Sequence, residues 1–266
     1  MGLRPTHYPF IEAQKPHDLD WFEVVTENFI DSEGRPLKIL EKVAQDYPVA
    51  LHGVSLSVGS TDPLSDTYLN KLKTLVERIQ PKIVSDHLCW TGNNGHNLHD
   101  LLPLPFTQEN INRVANKMER VQSHLKRQML LENVSSYVTF KHSEMSEWEF
   151  VAEVAKKSGC KILLDINNVF VSSVNHDFDP AEYINKIPKN IIGQIHLAGF
   201  TDMGDYLFDT HSKPVFQKVW DLYKTLVAEA SDIPVIIEWD EDIPEFSRLA
   251  EEALKAKKIW CDQYEI

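Results

Sequence analysis

A (β/α)8 TIM barrel, of class α/β, is the fold this sequence predicts, and three observations carry the expectation. Short apolar or β-branched runs alternate with helical stretches from end to end. The 266 residues are close to the roughly 250 that such a barrel needs. No glycine-rich G-x-G-x-x-G turn follows any strand, which argues against the structural alternative, a doubly wound open sheet with a dinucleotide crevice.

The strands come in order as a first short segment at 2–4, then WFEVV (21–25), VALHGV (49–54), KIVSDHL (82–88), QMLLEN (128–133), KILLDI (161–166), IIGQIHLA (191–198) and PVIIEW (234–239). Each is apolar on consecutive positions, as strands covered by helices on both sides are. Between them the stretches 66–79, 107–124, 146–158, 214–230 and 244–258 place apolar residues at helical spacing, with Thr107 and Ser146 standing where N-caps belong. Two connections, 90–105 and 199–214, are long and polar; in a barrel both lie above the carboxyl ends of the strands, where active sites are built. No linker, low-complexity tract or internal repeat divides the chain, so residues 1–266 read as a single domain.

Composition narrows the function. With 42% hydrophobic and 25% charged residues the chain has the makings of a substantial core, while 27 basic against 40 acidic residues give a net charge of −13. Nucleic acid is therefore not the expected partner, since phosphate binding depends on clustered Lys and Arg. The cysteines Cys89, Cys160 and Cys261 are too few and too scattered for a disulfide framework or a thiolate zinc site, so a cytoplasmic location is expected. No run of 18 apolar residues and no signal-peptide h-region occurs, which leaves no expected membrane association. Met1, Gly2 and Thr6 satisfy the loose myristoylation pattern, but Gly2 also fits the first strand.

The informative feature is what ends each strand. His52 closes VALHGV, His87 lies in VSDHL, Glu132 in LLEN, Asp165 in LLDINN, His196 in QIHLAG and Glu238 in VIIEWD. Successive spacings of 35, 45, 33, 31 and 42 residues each match about one βα unit, so a closed barrel converges these side chains on one face. Asp209 and His211, in FDTHS, add two ligand types close together on a loop. A lone strand-end histidine is more often structural than a ligand. Three carboxylates meeting near an apolar barrel, however, repel one another unless cations or protons neutralise them. Four histidines and four carboxylates suffice for two metal ions and support a third. Nitrogen and oxygen donors without thiolate suit Fe, Mn or Zn and do not separate them.

Weaker candidates are His99, Asp100, Asn167, Asn168, Asn175, His176, Glu27 and Asn28, for which turn formation or support of a neighbour is at least as good a reading. Asp240 and Asp242 read equally as an acidic helix start. His7, His17, His96, His124 and His142 carry no comparable placement signal, and Cys89 reads as a packed side chain.

The segments GLRPTHY (2–8), DWFEVVTENF (20–29), LHGVSLSVGS (51–60), SDHLCWTG (85–92), NLHDLLPLPFT (97–107), LENVSSY (131–137), MSEWEF (145–150), LLDINNVFVSSVNHDFDP (163–180), QIHLAGF (194–200), DTHSKPV (209–215) and IIEWDEDIP (236–244) resemble the multinuclear non-haem iron-dependent oxidative enzymes. That family was formerly catalogued as a domain of unknown function and includes the iron enzyme of methanobactin maturation. The resemblance implies a barrel with two or three iron ions, mixed-valent Fe(II)/Fe(III), that uses oxygen to modify cysteine residues in a ribosomally made precursor peptide. It also implies a small partner protein that presents the peptide. Carried over by position, His52, His87 and Glu132 would bind one iron; Glu132, Asp165, His196 and Glu238 a second, with Glu132 bridging; and Asp209 and His211 a third, with Asn168. A wider resemblance to the endonuclease IV and xylose isomerase barrels keeps a zinc- or manganese-dependent hydrolase or sugar isomerase as the alternative. Those barrels have a histidine where this chain has Asn168, a weaker ligand, which sets the trinuclear zinc chemistry in doubt.

Overall fold

The computed structural model of the chain describes residues 1–230 and 232–264. After helix α1 (Tyr8–Ala13) come strand β1 (Phe22–Val25), α2 (Arg35–Asp46), β2 (Val49–Gly53), α3 (Asp66–Ile79) and β3 (Ile83–His87). A hairpin of β4 (Trp90–Asn93) and β5 (His96–Leu102) leads to α4 (Gln108–Leu125), β6 (Leu130–Glu132), α5 (Glu147–Ser158) and β7 (Lys161–Asp165). Then follow α6 (Ile166–His176), α7 (Pro180–Lys186), β8 (Ile192–Leu197), a short hairpin of β9 (Thr201–Asp202) and β10 (Leu207–Phe208), α8 (Gln217–Val227), β11 (Val235–Ile237) and α9 (Phe246–Tyr264).

The predicted barrel is present. Seven parallel strands run in the order β1-β2-β3-β6-β7-β8-β11. The expected first strand is reduced to a single bridge, Gly2 with Glu23. It still joins the ends of the sheet: Leu3 N donates to Glu23 O at 2.7 Å and Gly2 N to Ile237 O at 3.1 Å. Helix caps follow the sequence. Thr107 Oγ1 accepts from Asn110 N, Ser65 Oγ from Tyr68 N, and Ser146 with Glu149 forms a reciprocal capping box. Helices α1, α2, α6 and α7 lie outside the stretches singled out above. The 90–105 and 199–214 connections, expected as loops, each contain a two-stranded hairpin.

Apolar residues from the strands and from the inner helix faces form one continuous core that includes Phe22, Leu51, Met118, Phe150, Leu164, Val219 and Trp220. A cavity of about 540 Å³ lies at the amino ends of the strands, lined by Trp21, Pro48, Ile83 and Val235. It is at the opposite end from the converging polar side chains.

Gly199 opens the β9–β10 connection, and the segment 213–214 that closes the same connection crosses directly over it. A Cβ on Gly199 would stand 2.2 Å from Lys213 O and 2.5 Å from Pro214 O, contacts that backbone cannot relieve cheaply. Gly199→Ala is expected to lower stability by about 1–3 kcal/mol or more, read as a reduced denaturation midpoint at unchanged slope.

Candidate functional site

Strand register assembles the site. His87 pairs with Glu132 and Asp165 with His196 across adjacent strands, while His52 pairs with Ser85. Parallel neighbours lie about 4.8 Å apart, so residues at one level of the barrel meet. His52, His87 and Glu132 bring ligand atoms within 4.8 Å of one another, and so do Glu132, Asp165, His196 and Glu238. Glu132 belongs to both groups. All six are buried.

The histidines share a pattern. Each engages an outer partner with one ring nitrogen and turns the other inward. His87 Nδ1 donates to Gly53 O at 2.9 Å, and since a carbonyl only accepts, Nε2 keeps its lone pair, 3.1 Å from Glu132 Oε2. His52 Nδ1 bonds Ser85 Oγ at 2.8 Å and Nε2 lies 2.9 Å from the same Glu132 oxygen. His196 Nε2 lies 2.9 Å from Glu23 Oε1, leaving Nδ1 at 3.1 Å from Glu238 Oε2 and 3.2 Å from Glu132 Oε1. His211 Nδ1 donates to Asp240 Oδ2 at 3.0 Å, and Nε2 lies 2.8 Å from Asp209 Oδ1. These are the outer-partner contacts that orient metal-ligating imidazoles.

Glu132 Oε2, Asp165 Oδ2, His196 Nδ1 and His211 Nε2 are buried and close to other polar atoms, yet none forms a hydrogen bond of acceptable geometry. This donor set, imidazole nitrogen and carboxylate oxygen, fits a divalent cation of the Fe, Mn or Zn kind. The two oxygens of Asp165 are used differently. Oδ1 caps α6 by accepting from Asn168 N at 2.6 Å, which turns Oδ2 toward the site.

Charge follows from the crowding. Burial, and then the field of Glu132, pushes Asp165 well above the usual carboxylate range. For Glu132 burial acts in the same direction, but His52, His87 and His196 overcome it and hold the carboxyl well below its usual value. His52 is pushed up to about 9, its burial outweighed by Glu132. His196 is raised too, against its burial, by Glu23, Glu238 and Glu132.

The loop pair behaves differently. Asp209 and His211 touch, and Asp209 is further held by Ser135 Oγ at 3.0 Å and Asn167 Nδ2 at 2.8 Å. Asn168 is not aimed at them by any hydrogen bond: its amide nitrogen donates to Asn133 O at 3.0 Å, and its Oδ1 is buried without a partner. Ligand atoms also converge in two further groups, His52 with His196 and Glu238, and His211 with Glu238 and Asp240. Asp240 does not start a helix, since α9 begins at Phe246; it bonds His211 and pairs with the buried Arg4 guanidinium. Of the weaker candidates, Glu27 accepts from Val54 N and the Tyr68 hydroxyl, Asn175 bonds Leu207, and His176 bonds Ser136. His99 and Asp100 are exposed on β5. Cys89 is fully buried and its thiol pushed up by burial, as a packed side chain is. Sequence reasoning missed Glu23, which is buried and also accepts from Gln194 Nε2, and Asp86, which burial and Glu27 push up to about 7. Their only signal was a carboxylate inside an apolar strand.

A family model, the RiPP precursor modification enzymes MbnB/TglH/ChrH, matches residues 1–261. The chain belongs to this family. Among its relatives, a UPF0276 protein of Anaeromyxobacter sp. strain Fw109-5 is 52% identical over 97% of this chain and 91% of its own length. A UPF0276 protein of Caulobacter vibrioides is 47% identical over 98% and 93%. Among solved structures, endonuclease IV from Thermus thermophilus superposes with a TM-score of 0.63 at 12% identity, covering 99% of this chain and 97% of that one. D-psicose 3-epimerase from Clostridium cellulolyticum does so at 0.62 and 11%, covering 97% and 94%. At such identities these two establish the fold alone, a TIM barrel of the xylose isomerase-like kind. As a MbnB/TglH/ChrH family member the chain is an enzyme that modifies ribosomally made precursor peptides.

The raised values of His52 and Asp165 mean that the folded, metal-free protein binds protons the unfolded chain has lost. Stability from His52 is complete below pH 6.5 and drains away as pH rises through about 9; Asp165 acts with the same sign. In chelator, unfolding free energy is expected to fall between pH 6.5 and 9, on the order of 1.4 kcal/mol per pH unit for each such proton. His52→Gln is expected to flatten that slope in denaturation curves.

Proposed function

We propose that this protein is a multinuclear non-haem iron, oxygen-dependent oxidase that modifies cysteine residues of a ribosomally synthesised precursor peptide, working as one barrel domain. What carries the proposal is the sharing of Glu132 between two buried His/carboxylate clusters in a member of a precursor-modifying family. In it, His52, His87 and Glu132 hold one ion, and Glu132, Asp165, His196 and Glu238 a second. Asp209 and His211 hold a third, with Asn168 or Asp240 nearby. Iron bound there would bind oxygen and pass to it the electrons taken from the peptide.

The chain's own residues do the rest. Glu23 keeps His196 in the tautomer that presents Nδ1, and the Gly53 carbonyl does the equivalent for His87. The apolar barrel beneath the ring excludes water, and Asn133 braces Asp165 through two backbone contacts, at 3.0 and 2.9 Å. The site offers no protein thiolate, so a cysteine thiolate of the peptide has no competitor for an open position. Conversion of a cysteine residue to an oxazolone–thioamide group removes four electrons and four protons, which reduction of one O2 to two waters consumes. A small partner protein that presents the peptide completes the proposal.

The test is incubation of anaerobically iron-loaded protein with a cysteine-bearing precursor peptide and oxygen. A peptide mass lowered by four hydrogens is the expected result, and an unchanged mass across genuine candidate precursors would sink the proposal. Protein purified with stoichiometric zinc and cleaving phosphate esters would favour the hydrolase instead. Asp165→Ala or His52→Ala is expected to abolish both metal retention and activity. Glu23→Gln, one step removed, is expected to weaken metal affinity about 10- to 100-fold, read by competition with a chromophoric chelator.

A further inference from the structure

A cleft of about 280 Å³ is lined by the 136–148 segment, Ser172, His176, Phe178 and Tyr183. Its walls are apolar: Phe106, Phe140, Met145, Trp148 and Phe178, with Val138 56% exposed on the lining loop. Beside them stand polar residues, among them Thr139, Ser143, His176, Glu147 and Tyr183. Tyr183 is 1% exposed, and its hydroxyl is engaged by the Glu147 carboxyl. Burial pushes the Glu147 carboxyl up to about 8. No Lys or Arg is among the lining residues.

The cleft adjoins the candidate centre. Ser136 lines it, with its N–H on Ser172 Oγ at 3.1 Å and its hydroxyl 2.7 Å from His176 Nε2. The preceding residue, Ser135, donates to Asp209 Oδ2 at 3.0 Å. Consecutive Cα atoms are about 3.8 Å apart, so the wall of the cleft begins one residue from Ser135, which bonds the Asp209 that in turn touches His211. A peptide whose cysteine reaches the centre must lay a flanking residue close to this opening.

Resting on the oxidase reading above, we propose that this cleft is a specificity subsite that takes a large apolar side chain, aromatic by preference, flanking the reacting cysteine of the substrate peptide. Its volume is below the roughly 300–1,000 Å³ usual for small-molecule sites and suits one side chain. Aromatic walls favour a ring, since rings pack edge-to-face or offset against one another.

The test uses zinc-loaded full-length protein, which cannot turn over oxygen, and blocked tripeptides with a central cysteine flanked on either side by Gly or Phe, together with the same set carrying Ser for Cys. Phe at one flank is expected to tighten binding about tenfold or more over Gly in both sets, by calorimetry or fluorescence. Trp148→Ala, and Val138→Arg on the exposed loop, where folding is not at stake, are each expected to cut that preference below about threefold. Equal affinity for Gly and Phe at both flanks, or a Phe preference that survives both variants, would overturn the subsite. Equal affinity of Cys and Ser peptides, with the Phe preference intact, would instead overturn the thiolate–metal reading and leave the subsite standing.

Discussion

Three carboxylates, those of Glu132, Asp165 and Glu238, share a buried space less than 4.8 Å across with the imidazole of His196. At an effective dielectric near 20, two like charges at that separation repel by about 3 kcal/mol or more. The crowding shows in the titration of its members: His52 and His196 are raised, against their burial, by the carboxylates around them, and burial with the field of Glu132 raises Asp165. An apolar filling of the same volume would be cheaper, because buried ionic groups rarely repay their desolvation. A set of donors this costly, brought together from four strands, has the composition of a candidate cation site.

The barrel makes that concentration of charge possible without disorder. His87 and Glu132, and Asp165 and His196, are held level by parallel strand register, and each imidazole is fixed from behind by a partner that belongs to a neighbouring element. Helix α6 begins on the residue after Asp165, so the cap that starts the helix also sets the angle of the carboxyl. Positions of this kind tolerate little motion, which is the condition for donors to act together on one ion.

The fold and the inner ring were legible in the sequence for a simple reason. A His or an acid at the end of an apolar run, repeated at βα spacing, has one geometric outcome once the sheet closes. What stayed hidden was everything whose meaning depends on a neighbour distant in sequence. Glu23 sits in the middle of FEVV, where alternation suggests a residue facing solvent or a helix, and only closure of the barrel sets it against His196. Asp240 read as a helix start because acids favour first turns, but Arg4, 236 residues away, claims it, and it in turn holds His211. The first strand shrank to a bridge because Pro5 begins a 3₁₀ turn directly after it.

The two parts of the polar cluster are anchored unequally. His52, His87, Glu132, Asp165, His196 and Glu238 stand at strand ends, whereas Asp209 and His211 ride on the 199–214 connection. That connection is held by the tight crossing at Gly199, by Arg4–Asp240–His211, and by Ser135 and the Tyr137 hydroxyl, which accepts from Asp209 N at 3.0 Å. Tyr137 also packs against Tyr206 and Phe208, three rings each more than 40% exposed. Anything that presses on this aromatic rim therefore pushes on Asp209, through the peptide bond from Phe208 and the hydrogen bond to Tyr137, while the strand-end residues stay where register puts them. The geometry of the loop pair is thus open to influence from a bound peptide or partner in a way that the inner ring is not.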